Sequence, residues 1–403
     1  MSSLATPAAP APPRPPPTRP RLLVLTAGFG EGHNAAARAL GAAWDDLHGG
    51  GSARVLDLLE LASPRLNRVT RWAYLKAINR TPRLWSRAYE WMDHSVLLPR
   101  SFGFLLRGDR ALLARVLAEE KPAAVCSTYP VYAFMLERLR AEGLAIAPHF
   151  NIVTDSISIN SLWWRAGCDG WFVPNEDSAA VLRSAGLPPA KVRVSGFPVT
   201  LFFSRHRDEF QPPDLAAGAA PRVLYIINSG TRGAEATASR LFAQEAWDVT
   251  CAVGRDERLQ RRLTLRAAGR RRPAQILGWT DRIPELLMTH HAVISKAGGA
   301  TTQEAIAARC PMIVNQIVPG QEEGNYELLR RHGAGALAET PETALELLRR
   351  LFEGRGQLWR SWREAITALS RPDAATTIAA QVLEAAQGLR PGAHVPPPAE
   401  KSA

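Results

Sequence analysis

The feature that most restricts this chain is a double alternation of short apolar runs with longer helical stretches. The first series of runs falls at 22–26 (LLVLT), 55–58, 124–127, 150–154, 171–174 and 192–195. A second series starts at 223–227 (VLYII) and continues at 249–253, 275–277, 292–295, 312–314 and 336–338. Short apolar runs with no polar alternation read as strands buried on both faces, and helices between them make the sheets parallel. Two sets of about six such units predict an α/β protein of two doubly wound, Rossmann-like domains that face a central cleft. In such sheets ligands sit outside the carboxyl ends of the strands, so the chemistry is expected in the loops just after them.

The flanks are different. Residues 1–20 form a Pro/Ala-rich tract with two internal arginines, too poor in apolar side chains to build a core and lacking the apolar run of a secretory signal. Residues 389–403 have the same character, and both ends are expected to be disordered. Between them the first domain is placed at 21–205 and the second at 220–388, joined by a Pro/Gly/Ala-rich connection. Hydrophobic residues make up 46% of the 403, enough for two cores. The longest charge-free stretch among the apolar segments, Pro122 to Leu136, contains Pro130 and falls short of the roughly 20 residues of a spanning helix.

Cys126, Cys168, Cys251 and Cys310 are far apart and lack metal-ligand or redox spacing, so they read as reduced thiols. The net charge of +11 fits nucleic acid, an anionic membrane surface or an anionic substrate equally well. Segment 64–110 holds ten Lys/Arg against three acids, interleaved with tryptophan, tyrosine and phenylalanine. That composition suits an anionic bilayer interface. It also suits stacked nucleic-acid bases, or a basic helix pair docked on its own domain.

Three loops carry candidate chemistry. After the first run comes TAGFGEGHNAAARAL, where Gly28, Gly30 and Gly32 make a turn onto a helix expected near Asn34. Glycines allow close backbone approach, and the helix N-terminus favours an anion and a neutral His33. After the fourth run, Asp155 stands where a carboxylate can deprotonate a hydroxyl or cap a turn. Trp163 and Trp164 follow it as core packing or as a cover for an apolar acceptor. After the tenth run, Lys296, Gly298 and Gly299 form a small-residue turn shaped for phosphate, with a helix expected from Thr301. Glu304 lies one turn into that helix, within reach of a ribose diol. Gln321, Glu322 and Asn325 follow the next strand in a polar loop suited to hydroxyl recognition.

Taken in order, TAGFGEGHNAAARAL, the block from VTDSIS through WFVPNEDSAAVLRSAGLPPAKVRVSGFPV, and KAGGATTQEAIAARCPMIVNQIVPGQEEGN resemble one family. It is the monogalactosyldiacylglycerol synthase and processive diacylglycerol glucosyltransferase family, related to the peptidoglycan GlcNAc transferase. The resemblance runs from about Leu22 to about Gly354. It implies the GT-B fold, with an acceptor-binding first domain and a nucleotide-sugar-binding second domain. It implies inverting transfer of a hexose from a UDP-sugar to a diacylglycerol-type lipid, by a protein peripheral at the cytoplasmic face of the membrane. By the same resemblance Gly30, Gly32 and His33 face acceptor and sugar, and Asp155 is the general base. Gly278 and Trp279 frame the uracil. Lys296, Gly298, Gly299 and Thr301 meet the diphosphate, Glu304 the ribose, and Gln321, Glu322 and Asn325 the sugar. Segment 64–110 falls where the family docks acceptor and membrane, which puts an anionic membrane ahead of nucleic acid as partner.

No Asp-x-Asp pair occurs in a suitable loop, so no metal and no cofactor are expected, the UDP-sugar being a substrate. Three positions depart from the family pattern: Asn160-Ser161, Asn228-Ser229 and Glu31. Two enzyme alternatives share the features above, a UDP-GlcNAc-dependent transferase with another lipid-linked acceptor and a soluble UDP-sugar epimerase. A basic binding protein for nucleic acid is the non-enzyme alternative.

Overall fold

The structure is a computed structural model that describes residues 19–28, 30–65, 68–70, 107–228, 233–318, 320 and 322–388. Most of segment 64–110, most of both tails, and Gln321 lie outside the described residues. The first domain is built on β1 (Leu22–Thr26), β2 (Ala53–Asp57), β3 (Ala124–Ser127), β4 (His149–Ile152), β5 (Gly170–Val173) and β6 (Val192–Val194). They form one parallel sheet in the order β2-β1-β3-β4-β5-β6. Its described helices are α1 (Glu31–His48), α2 (Leu58–Ala62), α3 (Arg107–Glu120), α4 (Val131–Ala141), α5 (Glu176–Ser184) and α6 (Phe202–Arg205).

The second sheet contains β7 (Arg222–Ile226), β8 (Asp248–Ala252), β9 (Gln275–Leu277), β10 (Ala292–Lys296), β11 (Met312–Gln316) and β12 (Gly335–Leu337). Its order is β12-β11-β10-β7-β8-β9, again all parallel. Around it lie α7 (Ala234–Phe242), α8 (Glu257–Ala267), α9 (Ile283–Thr289), α10 (Gly299–Ala307), α11 (Glu323–Arg331), α12 (Pro341–Leu369) and α13 (Ala374–Gly388). Each expected strand is present, with ends within two residues of the expectation.

The strands are continuous apolar runs because both faces are covered. In β1, Leu22 and Val24 point into a cluster shared with α1 and α13, while Leu23 and Leu25 point into one shared with α3 and α4. Each fully buried side chain of this kind contributes about 1.5–3 kcal/mol. Helix α1 presents Ala36, Ala37, Leu40, Ala43 and Trp44 at helical spacing, and all of them are buried. Trp44 satisfies its indole by donating Nε1–H to the Pro20 carbonyl at 3.1 Å.

Helix α12 is broken at Gly354, Arg355 and Gly356, which all have positive φ. Helix α13 lies inside the 220–388 span expected of the second domain, yet it packs on the first. Ile378, Ala379 and Val382 join Leu40 and Trp44 in one cluster. The chain therefore crosses the cleft twice.

The strand order reverses between β1 and β3 in the first sheet, and between β7 and β10 in the second. These reversals open crevices at the strands' carboxyl ends. His33 follows β1 at the first reversal, Lys296 ends β10 at the second, and Asp155 follows β4, the neighbour of β3.

Candidate active site

On the first domain's side, α1 begins at Glu31, three residues earlier than expected, so His33 stands in its first turn. Its Nδ1 lies 2.7 Å from the Thr128 carbonyl oxygen and 2.8 Å from Thr154 Oγ1. A carbonyl only accepts, so Nδ1 carries the hydrogen and Nε2 keeps its lone pair. The ring packs edge-on against Tyr129, with centroids 5.2 Å apart. His33 is held below the usual histidine range, chiefly by burial, with Asp155 and the Thr128 carbonyl opposing. A neutral imidazole was expected from the helix dipole; burial is the larger cause.

Asp155 lies three residues after Ile152, the last residue of β4. Burial pushes its carboxyl up, while His33 and the Trp163 indole pull it down. The Trp163 Nε1–H donates to Asp155 Oδ2 at 2.7 Å. Trp163 is buried, and its own carbonyl accepts from Trp171 Nε1 at 2.8 Å and Asn151 Nδ2 at 3.2 Å. The tryptophan read as packing or cover is thus also a clamp on the carboxylate. Asn160, one of the departures from the family pattern, caps the turn Ser161–Trp163 by accepting from the Leu162 amide at 3.0 Å. Its local role is to fix the tryptophan.

On the second domain's side, the register of β10 shifts between Ser295 and Lys296, a bulge that re-aims the lysine. Helix α10 starts at Gly299, two residues before the expected Thr301, and Gly298 is an N-cap with no side-chain hydrogen bond. Its first amides therefore have no side-chain cap and favour an anion. Lys296 pairs with Glu322, whose other oxygen accepts from the Val318 amide at 3.0 Å. Asn325 donates Nδ2–H to the Ala297 carbonyl at 3.0 Å, which braces the same turn. Its buried Oδ1 has no hydrogen-bond partner among the described residues.

Glu304 is pushed up to about 7, first by burial and then by Glu31, against Arg38. Both of those residues belong to α1, so this acid meets the first domain electrostatically as well as the expected ribose side. Gly278 and Trp279 follow β9. Gly278 lies beside Gln260 of α8, and Trp279 is 69% exposed. A cavity of about 1150 Å³ opens beyond β7 and β8, lined by Asn228, Gly233, Gly254, Arg255, Asp256 and Arg262. The sequence reading did not single out the loop after β8. Its signal was a glycine-arginine pair directly after an apolar strand. Asn228 ties the two strands at the reversal, donating Nδ2–H to Ser295 Oγ at 3.1 Å.

The two sides touch. A Cβ on Gly32 would lie 3.6 Å from the Ala300 amide nitrogen, and one on Gly299 would lie 3.8 Å from the Thr154 carbonyl. Gln303 donates to Ser156 Oγ at 3.1 Å across the cleft. Thus His33, Asp155, Lys296, Gly298, Gly299, Thr301 and Glu304 come from loops that converge, with Glu322 and Asn325 beside them. Among the described residues no three His, Cys, Asp or Glu side chains gather as a metal site requires. The four cysteines are buried free thiols, and burial pushes Cys251 up to about 12. No described helix is long and apolar enough to cross a membrane.

A family model described as monogalactosyldiacylglycerol (MGDG) synthase matches residues 33–199. The processive diacylglycerol beta-glucosyltransferase of Bacillus licheniformis is 24% identical over 371 residues, covering 91% of this chain and 95% of its own. That of Bacillus subtilis is 25% identical over 348 residues, covering 85% and 90%. Among solved structures, Acinetobacter baumannii MurG aligns with a TM-score of 0.56 at 15% identity, covering 91% of this chain and 99% of that one. Os79 from O. sativa in complex with UDP gives 0.59 at 12%, covering 91% and 100%. UDP-GlcNAc 2-epimerase from Neisseria meningitidis bound to UDP-GlcNAc gives 0.55 at 12%, covering 90% and 100%. The fold is GT-B, and the resemblance noted in the sequence extends over most of the chain.

Proposed function

We propose that this chain, which is similar to the MGDG synthases and processive diacylglycerol glucosyltransferases over most of its length, is a UDP-sugar-dependent hexosyltransferase acting on a diacylglycerol-type lipid. The observation that carries this reading is the meeting of strand-end loops from the two sheets. The first sheet brings a neutral imidazole after β1 and a carboxylate after β4, the second an uncapped helix N-terminus beside a lysine. An acceptor hydroxyl and an activated sugar need those groups on opposite sides of the reacting carbon.

In the proposed step the acceptor hydroxyl gives its proton to Asp155. Its oxygen forms a bond to the anomeric carbon, and the bond from that carbon to the diphosphate oxygen breaks, its electron pair leaving with UDP. A single displacement inverts the centre. Asp155 Oδ2 is committed to Trp163, which leaves Oδ1 for the hydroxyl. A carboxyl held above its usual range is a stronger base than a solvated one. His33, with its lone pair on Nε2, orients the acceptor or sugar hydroxyl. The charge that develops on UDP meets the amides at the start of α10 and Lys296, so the transfer proceeds without a metal. Glu304, near half-protonated at neutral pH, can both donate to and accept from a ribose diol. Glu322 and Asn325, with Gln321, read the hexose. Segment 64–110 holds the protein at an anionic membrane surface on the cytoplasmic side.

The GT-B fold is shared with epimerases. The likeness to diacylglycerol glucosyltransferases across about nine-tenths of the chain favours transfer to lipid over epimerisation. The test is incubation with labelled UDP-glucose, UDP-galactose or UDP-GlcNAc and diacylglycerol liposomes, with and without a chelator. Labelled lipid that survives chelation supports the reading. Asp155→Asn is expected to abolish turnover and keep UDP binding. Absence of labelled lipid with every donor, or turnover by Asp155→Asn, overturns it.

A further inference from the structure

The turn that follows Asp155 is unusual. Ser158 donates its amide to the Ser156 carbonyl at 2.6 Å, which closes a three-residue turn, and Ile157 at its centre has φ +57. A β-branched residue rarely adopts that φ, and a surrounding structure must hold it there. Apart from Ser178 of α5, whose hydroxyl lies 3.5 Å from the Ile157 amide, the holding groups among the described residues come from the other domain. Ile157 packs its side chain against the apolar cluster that contains Ala297, Met312 and Leu328. Ser156 is buried, and its hydroxyl accepts from Gln303 at 3.1 Å. Beneath the turn lies Gly324, the second residue of α11. A Cβ there would overlap the Ser156 carbonyl oxygen outright and stand 2.6 Å from the Ser158 nitrogen. Both are backbone atoms with no freedom to swing aside. Gly324 does not have positive φ, so helical geometry alone does not require a glycine.

We infer that Gly324 and Ile157 are positioning residues for Asp155: the carboxylate-bearing loop reaches its working place only when seated on the second domain. The inference rests on reading Asp155 as the base. Its consequence is that closure of the domains and assembly of the base are one event. With the lobes apart, the turn keeps, among the described residues, only the 3.5 Å contact from the Ile157 amide to Ser178 of α5, so Ile157 is free to leave positive φ. Asp155, still bonded to Trp163, then loses the fixed backbone that aims its other oxygen. Substrate transfer then waits on a closed cleft, which also keeps water from the anomeric carbon.

The experiment compares Gly324→Ala, Ile157→Gly and the double variant with the parent protein. It uses UDP-hexose transfer to diacylglycerol liposomes, UDP calorimetry and thermal melting. Alanine is the better helix former, but its methyl meets backbone atoms, so a modest fall in Tm is expected for Gly324→Ala with the fold kept at the assay temperature. The same methyl blocks seating, and kcat is expected to fall roughly 10- to 100-fold while UDP affinity is retained. Glycine accepts positive φ without strain, so Ile157→Gly folds, but it loses the apolar anchor and kcat falls again. Because both changes undo one contact, the double variant is expected to be about as slow as the slower single one. Parent-like kcat in Gly324→Ala, or losses that multiply in the double variant, overturns the inference. Asp155→Asn run alongside separates the two claims. If it turns over, the base reading fails; if it is inert while Gly324→Ala runs at full speed, only the seating fails.

Discussion

Replacing Trp163 with phenylalanine removes one hydrogen bond and little else from the base. The indole donates to Asp155 Oδ2 at 2.7 Å, and the bond is made in a buried setting. A hydrogen bond to a charged group contributes about 1.5–3 kcal/mol. It stabilises the ionised carboxylate more than the protonated acid, so its loss raises the pKa of Asp155. At 1.36 kcal/mol per unit, the rise is about 1–2 units. The burial that already pushes Asp155 up remains. The backbone carbonyl of residue 163 keeps its bonds to Trp171 and Asn151, so the loop around it stays anchored. The phenyl ring leaves a modest void, for which a loss of about 1–2 kcal/mol of stability is expected. The assay is kcat/KM for UDP-hexose transfer as a function of pH. Activity needs the ionised base, so the acid limb of the profile is expected to move upward by about 1–2 pH units, with the plateau approached only on the alkaline side. An acid limb that stays in place, or moves down, refutes the claim that this indole tunes the base.

Two other groups give separate readings. Glu304 has its folded pKa raised to about 7, so what it contributes is complete below its unfolded value and is lost as pH rises through about 7. Glu304→Gln is therefore expected to raise stability by about 1–3 kcal/mol at pH 8 and to change little near pH 4, as read by denaturant titration at both pH values. Lys296→Ala removes the cation beside the α10 N-terminus and leaves the buried Glu322 without its partner. UDP affinity by calorimetry is expected to fall about 10-fold or more, with a loss of Tm; unchanged affinity would show that the amides alone hold the diphosphate.

Much of the frame was legible because its signals are local. A strand such as Leu22–Thr26 is apolar throughout because both faces are covered, and it stands out against its polar flanks. The turns were legible as clusters of glycine after such runs, and the candidate residues fell at carboxyl ends where the topology opens its crevices. Helix starts were less so. Glu31 and Gly299 are helical although glycines surround them, and both starts lie close to the facing domain, a surrounding that local propensity does not reveal. The spacing of apolar residues in 374–388 showed that one face is buried, but not against which sheet. That helix could be read as completing the second domain, and it covers the first.

The chain's own order of residues determined two parallel sheets, their strand-end loops and which polar groups those loops present, because periodicity and turn chemistry act over a few neighbours. Tertiary structure alone decided how the loops meet. That Glu31 raises Glu304, that Gln303 donates to Ser156 and that Ser156 rests on Gly324 are contacts across the cleft between groups far apart in sequence. No local pattern encodes them, since they exist only where the two sheets' strand-end loops meet.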